Sequence, residues 1–198
     1  MYCSYGAVSR YEFIIHDFIT GENTVCTLPD ETSFRMDCYA WQPDEEALFF
    51  SDDEGSRIFG FDCSGDLILS AAWTQKIENL LFIGDGLCLV DTSNTLFKIE
   101  YDKNTLTEAA SIAPGSTSIS SGELKYHSLS DSRGFLKSNS HGWIIDPDTF
   151  ELIYSIDDAC GISFDKSCVY TVKSDLFTAY PLPTSARLRE MLTLVYNW

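Results

Sequence analysis

A hairpin pattern that recurs along the whole chain constrains the fold more than any other feature. Five segments run from a short apolar stretch into a turn rich in Asp, Gly, Thr or Pro and on toward a second stretch: Phe13 to Glu22, Ile58 to Leu67, Phe97 to Leu106, Trp143 to Leu152 and, in degenerate form, Leu176 to Pro183. With Asp17, Asp62, Asp102, Asp146 and Tyr180 as equivalent points, the intervals are 45, 40, 44 and 34 residues. Between these turns lie further strand-like pairs: Phe34 to Trp41 with Ala47 to Phe50, Ile77 to Ile83 with Leu87 to Val90, Glu123 to Ser128 with Gly134 to Lys137, and Gly161 to Phe164 with Cys168 to Val172. Gly, Asp, Ser and Pro bound each piece, the usual punctuation of short strands.

A period of roughly 40–50 residues with four short strands per unit matches one propeller blade. These hairpins resemble those of small β-propellers of the WD40 and kelch kind. The resemblance implies an all-β fold: one domain of about five blades, at 1–33, 34–74, 75–116, 117–158 and 159–198. Neither a Gly-His start nor a Trp-Asp dipeptide recurs, so the chain departs from the WD40 pattern and no ligand or partner carries over. A β-sandwich is the structural alternative, although a sandwich needs no such period. The first repeat has only Tyr2 to Val8 ahead of its hairpin, while the last has surplus chain after Pro183. Met191 to Trp198 alternates as a strand does and is expected to pair with the first or last blade, removing an exposed edge. Ser116 to Ser121 reads as the linker between the third and fourth blades.

A chain of 198 residues with 44% hydrophobic residues can bury a core without staples and is too apolar to be disordered. Its apolar runs fall far short of the ~20 residues that cross a bilayer, and no secretory signal is visible. Seven cysteines, at 3, 26, 38, 63, 88, 160 and 168, form no CxxC pair. They are expected to be free thiols in a reducing cytoplasm, most of them buried in strands.

The formal charge of −17 repels phosphate, which argues against nucleic acid and anionic lipid and for a basic protein partner. It is unevenly spread. Residues 1–66 hold fourteen acids and three bases, whereas residues 133–198 hold eight and six. Propeller geometry would put Asp44, Glu45 and Glu46 on one face of the disc and Asp30, Glu31, Asp52, Asp53 and Glu54 on the other. These eight acids are the expected partner-binding residues. Turn chemistry and solubility alone also place Asp in such positions. Tyr39, Trp41 and Phe49 would be contact aromatics if they are not core, and Trp143 and Tyr154 are the aromatic alternative on the near-neutral blades.

Catalytic and metal motifs are missing. His16, His127 and His141 stand apart from one another, and Gly84-Asp85-Gly86 lacks the third glycine and helix of a dinucleotide loop. Asp102-Lys103-Asn104 and Asp146-Pro147-Asp148 lack the loop glycine and distal Glu of an EF-hand. No metal or cofactor is expected. Carboxylates on inner strands, Asp37, Glu78 and Glu123, leave a glycoside hydrolase as a minor reading. The expected function is a non-enzymatic acidic binding module, its sharpest form an immunity or inhibitor protein that neutralises a basic-surfaced bacterial toxin. A lectin-type propeller that binds sugar or another small ligand is the alternative.

Overall fold

The structure, a computed structural model, describes residues 3–7 (backbone only), 9, 11–18, 20–29, 32–42, 47–113, 124–129, 132–139, 141–184 and 186–187. Among them are eighteen β-strands, and Ala186 and Arg187 are helical. β1 (Cys3–Ala7), β2 (Glu12–Asp17) and β3 (Asn23–Thr27) form a first sheet; β4 (Phe34–Gln42), β5 (Ala47–Asp52), β6 (Arg57–Asp62) and β7 (Leu67–Ala72) form a second. β8 (Ile77–Ile83), β9 (Gly86–Asp91), β10 (Leu96–Tyr101) and β11 (Leu106–Ile112) make the third. The fourth comprises β12 (Lys125–Ser128), β13 (Gly134–Ser138), β14 (His141–Asp146) and β15 (Glu151–Asp157); the fifth comprises β16 (Ala159–Ile162), β17 (Cys168–Lys173) and β18 (Leu176–Pro181). Each is an antiparallel meander in which chain neighbours are sheet neighbours. The chain divides into two compact units, Met1–Gly122 with the first three sheets and Glu123–Trp198 with the last two. The expected linker and closing strand, Ser116 to Ser121 and Met191 to Trp198, lie outside the described residues.

The repeated Asp has a repeated job. Asp62 Oδ1 accepts the N–H groups of Ser64 and Asp66 at 2.9 Å, Asp102 Oδ1 those of Asn104 and Thr105 at 3.0 Å, and Asp146 Oδ1 those of Asp148 and Thr149 at 2.9 and 3.0 Å. A carboxylate two residues before a turn amide imitates the backbone acceptor of a tight turn, which is why Asp marks these sites. Gly65 then donates its N–H to the Asp62 carbonyl at 3.0 Å with φ +85°, and Asn94 does the same to Asp91 with φ +62°. Gly and Asn are the residues that take this left-handed position at low cost. The segment Leu176 to Pro183 is a correction to the expected pattern. It is one strand, β18, and its hairpin precedes it at Ser174 and Asp175, both at positive φ. Phe164 likewise lies beyond the end of β16 rather than inside a strand.

In the first unit the second sheet is covered on both faces. Every residue of β5 is buried, and its side chains alternate between two cores. Ala47 and Phe49 join Ile58 and Leu69 against Ile77, Leu80, Leu89 and Phe97 of the third sheet. Leu48 and Phe50 join Phe59 and Phe61 against Phe13, Ile15 and Cys26 of the first. The rings of Phe50 and Phe61 meet Phe13 edge to face at 4.8 and 5.1 Å. A strand covered on both faces reads as a continuous apolar run, and each such side chain contributes about 1.5–3 kcal/mol on burial. In the second unit Leu129, Phe135 and Ile144 of the fourth-sheet region pack against Ala159 and Val169 of the fifth sheet. Third and fourth strands share a bulge, at Gly60/Phe61, Lys98/Ile99 and Ile144/Ile145 in the second, third and fourth sheets. Such bulges add twist to the outer strand.

Candidate partner-binding surface

Of the eight acids expected to bind a partner, Asp30, Glu31, Asp44, Glu45 and Glu46 lie outside the described residues. Asp52, Asp53 and Glu54 are placed, in the turn from β5 to β6, and they divide into two kinds. Asp52 is buried: Oδ1 accepts the N–H groups of Ser56 and Arg57 at 2.6 and 3.1 Å, and Oδ2 accepts the Ser56 hydroxyl at 2.7 Å. It is a turn clamp and presents little charge to solvent, which corrects its place among the expected surface acids. Gly55, at φ +71°, donates to the Asp52 carbonyl, and the Asp53 N–H donates to Ser33 O at 3.0 Å. That frame holds the backbone of Asp53 while leaving both Asp53 and Glu54 exposed. Asp91 repeats the clamp in the third sheet, fully buried and accepting from Ser93 N–H, Ser93 Oγ–H and Thr95 N–H.

Hydrogen bonding also sets the acid behaviour of exposed turn carboxylates. Amide and hydroxyl donors from Asn104 and Thr105 hold Asp102 below the usual carboxylate range, and the hydroxyls of Ser163 and Ser167 do the same to Asp165. A depressed folded pKa contributes stability that is present above the unfolded value and is lost as pH falls through the folded one. NMR titration of the side-chain carboxyls is therefore expected to show Asp102 and Asp165 titrating below ordinary exposed Asp; coincidence with the ordinary value contradicts these turn bonds.

The first strand of the second sheet, β4, carries a wide irregularity between Phe34 and Tyr39, where Met36, Asp37 and Tyr39 are exposed. Arg35 reaches from it to the Ile77 carbonyl at 2.9 Å and to Asp37 Oδ1 at 3.3 Å. Burial works against the guanidinium charge, but Asp37, Cys38 and Glu78 outweigh it and hold the Arg35 pKa high. Two of the three carboxylates weighed for hydrolysis thus lie in the field of one arginine, and Glu78 also pairs with Lys76 at 3.4 Å. Glu123 lies outside the described residues.

Among the aromatics, Phe49 is core, Trp41 packs against the core at half exposure and Tyr39 is exposed. Trp143, considered as a surface contact, is buried instead because it lies on β14 at the centre of its sheet. His16 bonds Asn23 at 2.8 Å, His127 stacks on Phe135 and His141 on Trp143. Among the described residues no group of three His, Cys, Asp or Glu is arranged to hold a metal, and no helix is long and apolar enough to cross a membrane. Cys26, Cys38 and Cys88 are buried, while Cys63 and Cys168 are half-buried and Cys160 is exposed, so burial covers half of the six described thiols rather than most. Burial, with Asp62 adding to it, pushes the Cys26 thiol up to about 11, and burial takes Cys88 to about 12. These two are packing groups rather than nucleophiles.

No protein-family profile matches the sequence, and no curated protein matches it. Solved structures do match in fold. BamB from Moraxella catarrhalis aligns at a TM-score of 0.54 with 11% identity, over 91% of this chain and 61% of its own. The β-propeller domain of Cps50 (Swd1) from Myceliophteria thermophila aligns at 0.53 with 10% identity, over 87% and 61%. BBS1N, in complex with ARL6DN, aligns at 0.65 with 8% identity, over 94% and 62%. The fold is therefore all-β with propeller likeness, and the chain spans about three-fifths of the length of these structures. The separation of Asp52 from Asp53 and Glu54 is missing from the sequence reading, although the Asp-x-x-Gly spacing of 52–55 and 62–65 signals it.

Proposed function

We propose that the chain is a non-enzymatic protein-binding module that docks a basic protein against its acidic first unit. The charge distribution carries this reading: residues 1–122 hold twenty acids and six bases, a net −14, whereas residues 123–198 hold ten and seven, a net −3. Turn chemistry recurs in every sheet, so turn acids alone would spread the charge more evenly. The exposed pair Asp53 and Glu54 on a hydrogen-bonded turn gives that charge a firm place to act. A propeller-like fold suits the role, and BBS1N is a protein of similar fold described with a protein partner. In its sharpest form the module is a cytoplasmic immunity or inhibitor protein covering the basic surface of a bacterial toxin, with its five sheets as the blades of one small propeller.

Neutralising Asp53 and Glu54 as D53N/E54Q is one test, and D44N/E45Q/E46Q, in the other acidic run of residues 1–66, is a second. Asp53 and Glu54 are exposed, and exposed charges contribute little to folding, so D53N/E54Q is expected to keep the parent melting temperature. Partner captured from native lysate is then titrated at two salt concentrations. One variant should weaken association about tenfold, and the parent affinity should fall as salt rises and screens the rim. Binding that ignores both variants and salt overturns the reading.

A further inference from the structure

Thirteen bases share this chain with thirty acids, so a surface lysine readily finds a carboxylate: Lys76 pairs with Glu78 at 3.4 Å and Lys173 with Asp158 at 4.0 Å. The second unit breaks that pattern at one place. In the fourth sheet Lys125 and His127 are alternate residues of β12 and therefore share a face, with Lys137 and Phe135 as their partners across on β13. Lys125 stands directly opposite Lys137, and like charges so placed are destabilising. Lys137 turns its ammonium to the Asn139 carbonyl at 2.7 Å, while His127 stacks on Phe135 with ring centroids 6.4 Å apart.

A further cation comes from the fifth sheet. Phe135 packs with Ala159 and Val169, so the face that carries His127 looks toward that sheet, and from its β16–β17 turn the Lys166 ammonium donates to the Ser128 hydroxyl oxygen at 3.4 Å. The turn is held by its own bonds: Ser163 Oγ accepts the N–H groups of Ser167 and Cys168, each at 3.0 Å, and the Lys166 N–H donates to Ser163 O at 2.9 Å. Its carboxylate, Asp165, is occupied by the hydroxyls of Ser163 and Ser167 at 2.6 and 2.8 Å. Among the described residues neither Lys125 nor Lys166 pairs with a carboxylate, and no hydrogen bond meets the His127 ring. Burial, then Lys166, then Lys125 hold the His127 pKa below the ordinary imidazole value, so at neutral pH the ring is uncharged and has one N–H to donate.

We propose that Lys125, His127 and Lys166 form a binding site for a phosphate group, free or as the monoester of a small molecule. Two ammonium groups and an imidazole N–H stand together here with no described carboxylate to meet them, and a compact oxyanion accepts from all three through separate oxygens. The same anion would offset the repulsion between Lys125 and Lys137 that the strand register imposes. A carboxylate brings a single charge to these lysines, whereas a phosphate monoester carries about −1.5 to −2 at pH 7. A nucleic acid fits less well, because its further phosphates would meet the acidic remainder of a chain of net −17. The site draws nothing from the acidic first unit and stands apart from its proposed role.

Inorganic phosphate titrated into the full chain tests the assignment, with chloride at matched ionic strength as the control and the histidine ring resonances followed by NMR. The His127 resonance is expected to shift saturably with phosphate and not with chloride, while those of His16 and His141 stay in place. K125Q and K166Q should each raise the phosphate Kd about tenfold. Both lysines are exposed, so the variants should fold, and thermal melting gives a second reading: phosphate raises the melting temperature of the parent but not that of K125Q/K166Q. The same titration with glycerol 2-phosphate separates the two sources, since tighter binding than phosphate assigns the site to a monoester and weaker binding assigns it to the free ion. A His127 shift that never saturates, that chloride reproduces or that ignores both lysines marks an adventitious ion only and overturns the proposal.

Discussion

Gly60→Val is expected to destabilise the first unit by more than any surface change, about 3 kcal/mol or above, the upper range for overpacking a filled core. A Cβ at Gly60 would stand 2.7 Å from Cε1 and 2.8 Å from Cδ1 of Phe49, and 3.1 Å from Leu69 Cβ. Phe49 cannot yield readily, for it is fully buried and its ring meets Phe82 at 5.5 Å and Tyr101 at 5.3 Å. The glycine is thus demanded by the close approach of a neighbouring ring on its own sheet. Gly161→Ala is the control: nothing lies within 4 Å of its added Cβ, and its φ is not in the left-handed region. Chemical denaturation of the two variants should show a large loss for the first and a change within about 0.5 kcal/mol for the second. Equal losses would refute this packing.

Asp52→Ala is expected to cost about 3 kcal/mol, whereas D53N/E54Q costs almost nothing. The alanine removes the shared acceptor of the Ser56 N–H, the Arg57 N–H and the Ser56 hydroxyl, all of which now meet one carboxylate. Hydrogen bonds to a charged acceptor contribute roughly 1.5–3 kcal/mol each, less than additively. Three adjacent acids would then separate by thermal melting alone: one that holds the turn and two that face solvent. A melting temperature for Asp52→Ala equal to that of the double variant would show that Asp52 is a surface charge after all.

The hairpins were legible because their signals are local. Asp at a strand end followed by Gly or Asn three residues on needs only the turn's own amides to explain it, and apolar runs such as Ala47 to Phe50 are strands under any packing. The fifth repeat was misread for the same reason. Without an Asp clamp, the Pro-rich end of Leu176 to Pro183 imitated a turn, while the real turn at Ser174 and Asp175 had no glycine to announce it.

The sequence by itself determined the strand order, the punctuation of the turns and the acidic bias of residues 1–122, because these depend on neighbours within a few positions or on simple summation. Only the structure showed that Asp52 is buried while Asp53 and Glu54 face solvent, although the Asp-x-x-Gly spacing of 52–55 marks Asp52 as the turn acceptor. The structure alone decided that Trp143 is core and that five of the six residues of β18 are exposed. Burial and edge exposure are properties of what lies alongside a residue in space, and a strand's own sequence reads much the same whether or not a neighbour covers it.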